Sequence, residues 1–310
     1  MIWWWLGGAV LLVVGVVLVG GYYAYRNAYA APPRGRDALE QTPLYGAYWG
    51  RAVPLIKELK DTPFEAVTIR SADGLTLAGQ YYAIHEGAPV ILLFHGWRSI
   101  AMRDFCAGFR LAVDAGCNVL LVDQRAHGLS EGHALTFGVR EREDCLAWAK
   151  YAAARFPGVP LVLCGVSMGA ATVTMAASLP LPETVVGIIA DSPYSSPAAI
   201  VRKVAVEDKH LPGWLAMPLA RIGAVLFAGF RLGETDGEEA LRHATVPVLL
   251  IHGDADDFVP CEMSAVLEQA CASPVRREVF PGAGHVMSYM IDTPRYTQVW
   301  NDFLHEVLPQ

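Results

Sequence analysis

Five short, uninterrupted apolar runs constrain this chain more than any other feature: Val90–Phe94, Val119–Val122, Leu161–Cys164, Val185–Ala190 and Val248–Ile251. A strand with one face in water alternates apolar and polar residues, so runs like these belong to strands covered on both faces of a parallel sheet. Helical stretches lie between them, among them Gly138–Phe156 and Met168–Ser178. Ahead of them, Phe64–Arg70 and Leu75–Ala83 flank Ala72-Asp73-Gly74, which reads as a β-hairpin with an Asp-Gly turn. Alternating strands and helices after a hairpin predict an α/β fold, a mostly parallel central sheet with helices on both faces. In such sheets the functional groups gather at the carboxyl ends of the strands.

The chain is 310 residues long, 53% hydrophobic and 18% charged, which excludes a disordered polymer. Its net charge of -7 offers no basic footprint, so no nucleic-acid partner is expected. Much of the apolar surplus sits at the start. No ionisable side chain precedes Arg26, and Ile2–Gly21 has about the length of a bilayer-crossing helix. Trp3, Trp4 and Trp5 mark one end and Tyr22, Tyr23 and Tyr25 the other, as interfacial aromatic belts do. Ala28-Tyr29-Ala30 satisfies the small-x-small rule of a cleaved signal peptide. Against cleavage, no Lys or Arg precedes the run, and the run is longer than a signal peptide's apolar region of roughly 7–15 residues. The expectation is a single-pass transmembrane anchor over residues 1–25. Arg26, Arg34 and Arg36 follow it, and the positive-inside rule then places the body in the cytoplasm. The six cysteines form no CxxC pair, so neither a zinc site nor a disulfide framework is suggested.

Ala31-Pro32-Pro33-Arg34-Gly35-Arg36 cannot continue a helix, and residues 26–62 read as a linker and short helical lead-in. Residues 63–310 read as one domain. Between Ser195 and about Thr245 the strand-helix alternation lapses, and a small helical lid is expected over residues 195–245.

The residues that follow each apolar run are chemically informative. They include His95-Gly96-Trp97, Asp123-Gln124-Arg125, Asp191-Ser192, the loop from His252 to Asp257, and Gly282-Ala283-Gly284-His285. The pattern GxSxG occurs twice. The copy around Ser130, Gly128–Gly132, has no helix-forming run directly after it, whereas Gly165–Gly169 has a strand before it and an Ala-rich helix after it. That second context is what a nucleophile elbow requires, with the Ser167 hydroxyl lifted over the sheet at a helix N-terminus. A serine hydroxyl becomes a nucleophile only when a base takes its proton and a carboxylate orients the base. His285 is the best candidate base, while His252 and His95 precede glycines and read as turn formers. Asp254, Asp256 and Asp257 share one loop between Ser167 and His285, and all satisfy the order serine, acid, histidine.

Together these segments resemble the α/β-hydrolase superfamily, from Phe64 to about Pro309. The family's acid loop commonly reads His-Gly-x-x-Asp-x-x-Val-Pro, which matches His252–Pro260 and selects Asp256. Gly282–His285 resembles the family's histidine loop. Asp123–Gly132 resembles its Asp-x-Arg-Gly-His-Gly-x-Ser-x-Gly stretch, with Ala126 where a glycine is usual, which makes Ser130 structural. The resemblance implies acyl transfer to Ser167 with His285 as base and Asp256 as orienting acid. It also implies an oxyanion hole from the backbone N–H groups of Trp97 and Met168, an indole of Trp97 walling the pocket, and no metal or organic cofactor. Pro212-Gly213-Trp214-Leu215 and Ile222–Phe230 make the expected lid apolar. An apolar lid beside a membrane anchor favours a small-molecule or lipid acyl ester or thioester as substrate. A serine peptidase of the prolyl-peptidase type and a catalytically silent binding protein are the alternatives, the latter disfavoured because Ser167, Asp256 and His285 are all intact.

Overall fold

The computed structural model describes residues 2–308; Met1 and residues 309–310, the ends of the expected anchor and domain, lie outside the described residues. One eight-stranded sheet organises the body: β1 (Glu65–Arg70), β2 (Thr76–Tyr82), β3 (Val90–Phe94), β4 (Asn118–Val122), β5 (Leu161–Val166), β6 (Val185–Asp191), β7 (Val248–Gly253) and β8 (Val275–Phe280). Their spatial order is β1-β2-β4-β3-β5-β6-β7-β8. Only β2 runs against its neighbours, antiparallel to both β1 and β4, and every other pair is parallel. The fold is therefore the expected α/β one. The chain order reverses at β3, which lies between β4 and β5, and a crevice at the carboxyl ends of β3 and β5 follows from that reversal.

Burial explains the uninterrupted apolar runs. Val90, Leu92 and Phe94 of β3 pack toward the helices Glu141–Arg155 and Met168–Ala176. Ile91 and Leu93 point the other way, toward Phe105, Phe109, Trp300 and Phe303 on the helices of the opposite face. Each such aliphatic side chain contributes about 1.5–3 kcal/mol relative to exposure.

The boundaries move where backbone geometry overrides propensity. The helix expected from Gly138 begins at Glu141, because Phe137 (φ 54°) and Gly138 (φ 90°) both adopt left-handed backbone. The Glu141 carboxylate accepts the N–H groups of Thr136 and Gly138, both at 2.8 Å, which fixes that bend. In the hairpin, Gly74 alone takes a positive φ (87°) and donates to the Ser71 carbonyl at 3.0 Å, so a left-handed glycine closes the turn.

The first helix, Ile2–Ala24, runs on through a wide turn to Tyr29. Trp3–Tyr29 is long and apolar enough to cross a membrane, by length and composition. The expected linker departs from a free tether at its start. Tyr29 is fully buried between the rings of Phe137 and Phe230, at 5.7 and 5.3 Å, and Leu135 N–H donates to its carbonyl at 2.7 Å. Between β6 and β7 the chain forms short helices, including Pro197–Arg202, Gly213–Gly223 and Gly237–Leu241. This insertion packs on the end of the first helix through glycines. A Cβ on Gly20 would sit 2.9 Å from Leu219, and one on Gly223 2.6 Å from the Gly21 carbonyl. Close helix-to-helix approach of this kind needs small residues.

Candidate active site

Ser167 is the whole connection between β5 and the helix Met168–Ala176. Its backbone sits at φ 54°, ψ -116°, a conformation costly for a residue with a side chain and kept only where the surroundings impose it. The flanking glycines are required by contact rather than by φ. A Cβ on Gly169 would lie 1.7 Å from the Phe94 carbonyl oxygen, and one on Gly165 2.1 Å from the Gly169 oxygen. Gly169→Ala is therefore expected to destabilise the protein by about 4 kcal/mol or more, because backbone rather than a side-chain tip must yield. Urea unfolding checks this, with Gly50→Ala as the control. Gly50 lies in the helix Trp49–Asp61 with nothing within 4 Å of its added Cβ, and that change is expected to stabilise by up to about 1 kcal/mol.

The loops after β7 and β8 bring two further groups to the elbow. The Ser167 hydroxyl lies 2.9 Å from His285 Nε2, and His285 Nδ1 lies 2.7 Å from Asp256 Oδ2. The Ser167 N–H donates to the Asp191 carbonyl at 2.8 Å, which ties the elbow to β6. Asp256 Oδ1 accepts the N–H groups of Phe258 and Val259 at 3.0 and 2.8 Å. Burial alone would raise the Asp256 pKa. Hydrogen bonds from His252, His285 and the Val259 N–H, with the charge of His285, instead hold it well below the usual carboxylate range. Asp254 and Asp257 are exposed, and Asp254 accepts the Gly282 N–H at 2.6 Å, linking the acid loop to the histidine loop.

His95 has the expected turn-building role: it is buried, its Nε2 accepts the Gln124 N–H at 3.1 Å and its Nδ1 lies 2.9 Å from the Gly96 carbonyl. His252 does more than shape a turn. Its Nε2 lies 2.9 Å from the Val259 carbonyl and 3.3 Å from Asp256 Oδ2, on the buried side of that carboxylate. The second serine is occupied elsewhere: the Ser130 hydroxyl donates to the Asp123 carbonyl at 2.5 Å and accepts the Ala78 N–H at 2.9 Å. Ala126, where the family's stretch has glycine, carries the left-handed φ of 63° that glycine would adopt more easily.

The loop after β3 runs against Ser167, since a Cβ on Gly96 would be 3.3 Å from the Ser167 Cβ. Among the described residues, neither the Trp97 N–H nor the Met168 N–H is donated to a protein acceptor. Asp104, which nothing in the sequence singles out, accepts the Gly96 N–H at 2.8 Å and also binds the Ser99 hydroxyl, so it fixes this loop. The segment after the first helix straps the same loop from outside. Trp97 Nε1–H donates to the Ala28 carbonyl at 3.0 Å, and Arg98 donates to the carbonyls of Arg26 and Ala30 at 2.9 and 3.0 Å. Arg36 donates to the carbonyls of Arg98 and Ser99 at 2.6 and 3.1 Å. The indole of Trp97 thus faces two ways, held by the strap while lining a cavity of about 250 Å³ with Ser167, His285, Phe258, Arg36 and Arg103.

Comparison with known proteins agrees with this geometry. Residues 91–297 match the Alpha/beta hydrolase family. Among solved structures, the esterase Pf2001 of Pyrococcus furiosus shares the fold with a TM-score of 0.68 and 21% identity, over 90% of this chain and 98% of that one. In sequence the chain is 27% identical over 240 residues to the uncharacterized protein YqkD of Bacillus subtilis, 77% of this chain and 78% of that protein. It is 27% identical over 241 residues to the human protein ABHD12B, 72% of this chain and 62% of that protein. The strand order, the strained serine turn and a family match over more than half of its residues establish that the chain belongs to the Alpha/beta hydrolase family.

Proposed function

We propose that the protein is a serine hydrolase that cleaves carboxylic esters or thioesters, with Ser167 as nucleophile, His285 as base and Asp256 as orienting acid. The observation that carries this reading is the unbroken relay of 2.9 and 2.7 Å from Ser167 through His285 to Asp256. His285 Nε2 takes the hydroxyl proton as Ser167 Oγ attacks the carbonyl carbon, and ionised Asp256 stabilises the imidazolium that forms. The oxyanion accepts the N–H groups of Trp97 and Met168, each worth about 3–4 kcal/mol of barrier in a preorganised site. Collapse expels the alcohol or thiol, which takes its proton from His285 and leaves Ser167 acylated. His285 then deprotonates water as it attacks the acyl carbon, and returns that proton to Ser167 Oγ as the acyl–oxygen bond breaks, releasing the carboxylic acid and free Ser167.

The apolar helix Trp3–Tyr29 supports a single-pass membrane anchor, and Arg26, Arg34 and Arg36 support a cytoplasmic body. The helical insertion over residues 195–245, read as the lid, exposes Leu211, Trp214, Leu215, Val225 and Leu226, with Trp214 80% exposed. Its packing against Gly20 and Gly21 holds this apolar lip beside the anchor and favours acyl lipids as substrates. Hydrolysis of p-nitrophenyl esters of increasing acyl length tests the reading, with chromogenic prolyl peptides alongside. The expected result is a kcat/KM that rises with chain length and no peptide turnover. A preference for acetate would remove the lipid part of the proposal, and peptide cleavage without ester cleavage would put the peptidase reading ahead.

A further inference from the structure

The cavity at Ser167 has an unusual wall. Arg36, Arg98 and Arg103 all line it, beside His285 and Phe258. Among the described residues none of these guanidinium groups forms an ion pair with a carboxylate. Arg103 is only 8% exposed, and among the described residues its Nε has no hydrogen-bond partner and its one side-chain hydrogen bond is a long one, 3.5 Å to the Ser99 hydroxyl. Arg98 Nε is likewise unpartnered. The acids facing Arg36 are Asp104 and Glu40, and Asp104 is already engaged by the Gly96 N–H and the Ser99 hydroxyl.

Taking a cation out of water is costly, and a buried one is ordinarily paired. Here the charges also oppose one another. Burial and then Arg103 lower the pKa of Arg36, and burial followed by Arg26 and Arg36 lowers that of Arg98. A guanidinium offers five donors in a planar fork that matches the oxygens of phosphate or carboxylate. Arg36 and Arg98 spend some donors on carbonyls, but Arg103 keeps nearly all of its own.

We propose that Arg103, with Arg36 and Arg98, forms an anion subsite in the catalytic cavity, so that the ester cleaved carries a phosphate or carboxylate beside its scissile carbonyl. This rests on the serine-hydrolase reading and adds to it the charge of the substrate.

Two readouts on the full-length protein test it, with fluorophosphonate labelling of Ser167 as the common check. In the first, glycerol 3-phosphate, propionate, glycerol and propanol are each added during labelling. An anion, but not its neutral counterpart, is expected to slow labelling. In the second, butyrylglycerol 3-phosphate is compared with monobutyrin, and 3-butyryloxypropanoate with propyl butyrate. The anionic member of at least one pair is expected to be favoured tenfold or more in kcat/KM, mainly through KM, and raised salt should shrink that advantage. The pair that shows it distinguishes phosphate from carboxylate. Arg103→Met should remove most of the preference and Arg103→Lys part of it. If Arg103→Met does not fold, Arg36→Gln carries the same ratio test. Equal handling of both members of each pair with no anion protection, or a preference that survives these substitutions, would overturn the subsite. Failure of the wild type to label would sink the hydrolase reading itself, a separate outcome.

Discussion

Ser167→Ala is expected to lower turnover by about 10⁴–10⁶-fold, while urea unfolding changes by no more than about 1 kcal/mol. The asymmetry follows from what the side chain does. Its hydroxyl makes one hydrogen bond, to His285, whereas the strained turn is held by the Ser167 N–H on the Asp191 carbonyl and by the glycines on either side. Ser130→Ala is the matched control from the other GxSxG. It should leave most turnover intact, and its cost falls on stability, because the Ser130 hydroxyl bridges the Ala78 N–H to the Asp123 carbonyl.

Asp256→Asn is expected to cost about 10⁴-fold in kcat, with Ser167 and His285 untouched. The amide can still accept the N–H groups of Phe258 and Val259 through its oxygen, so the loop survives. What is lost is an anion 2.7 Å from His285 Nδ1 that fixes the tautomer and stabilises the imidazolium. The stability effect has a defined sign. The folded-state pKa of Asp256 is depressed, so the carboxylate contributes stability above its unfolded value of about 3.9 and loses it as pH falls through the folded value. Unfolding of wild type and variant should therefore differ at neutral pH and converge on strong acidification. It also follows that Asp256 stays ionised throughout the neutral and mildly acidic range.

The centre of the sheet is legible in the sequence because its inner strands are buried on both faces, which leaves no polar residue to blur runs such as Val90–Phe94. The elbow is legible because close contact between β3, β5 and the next helix demands Gly165 and Gly169. Helix ends are less so. Phe137 takes a left-handed φ that its residue type disfavours, held by the hydrogen bonds from the Thr136 and Gly138 N–H groups to Glu141 and by packing on Tyr29. Asp256 stands out from Asp254 and Asp257 only by the pattern of its loop, since all have the right chain order, and burial against His285 is a property of the folded loop. Asp104 and the strap from Arg26 to Arg36 are invisible to periodicity. Each of these contacts but the Asp104–Ser99 pair has a backbone carbonyl or N–H on one side, and backbone groups leave no mark in a sequence. The same holds for Tyr29, whose burial depends on Phe137 and Phe230, far along the chain.

The most direct test of an activated serine is fluorophosphonate labelling of membrane fractions, with wild type beside Ser167→Ala and Ser130→Ala. A wild type and Ser130→Ala that both label, and a Ser167→Ala that does not, are the predicted result. A well-folded wild type that fails to label would contradict it and bring the silent binding protein forward, and labelling that persists in Ser167→Ala would contradict it by placing the activated nucleophile elsewhere.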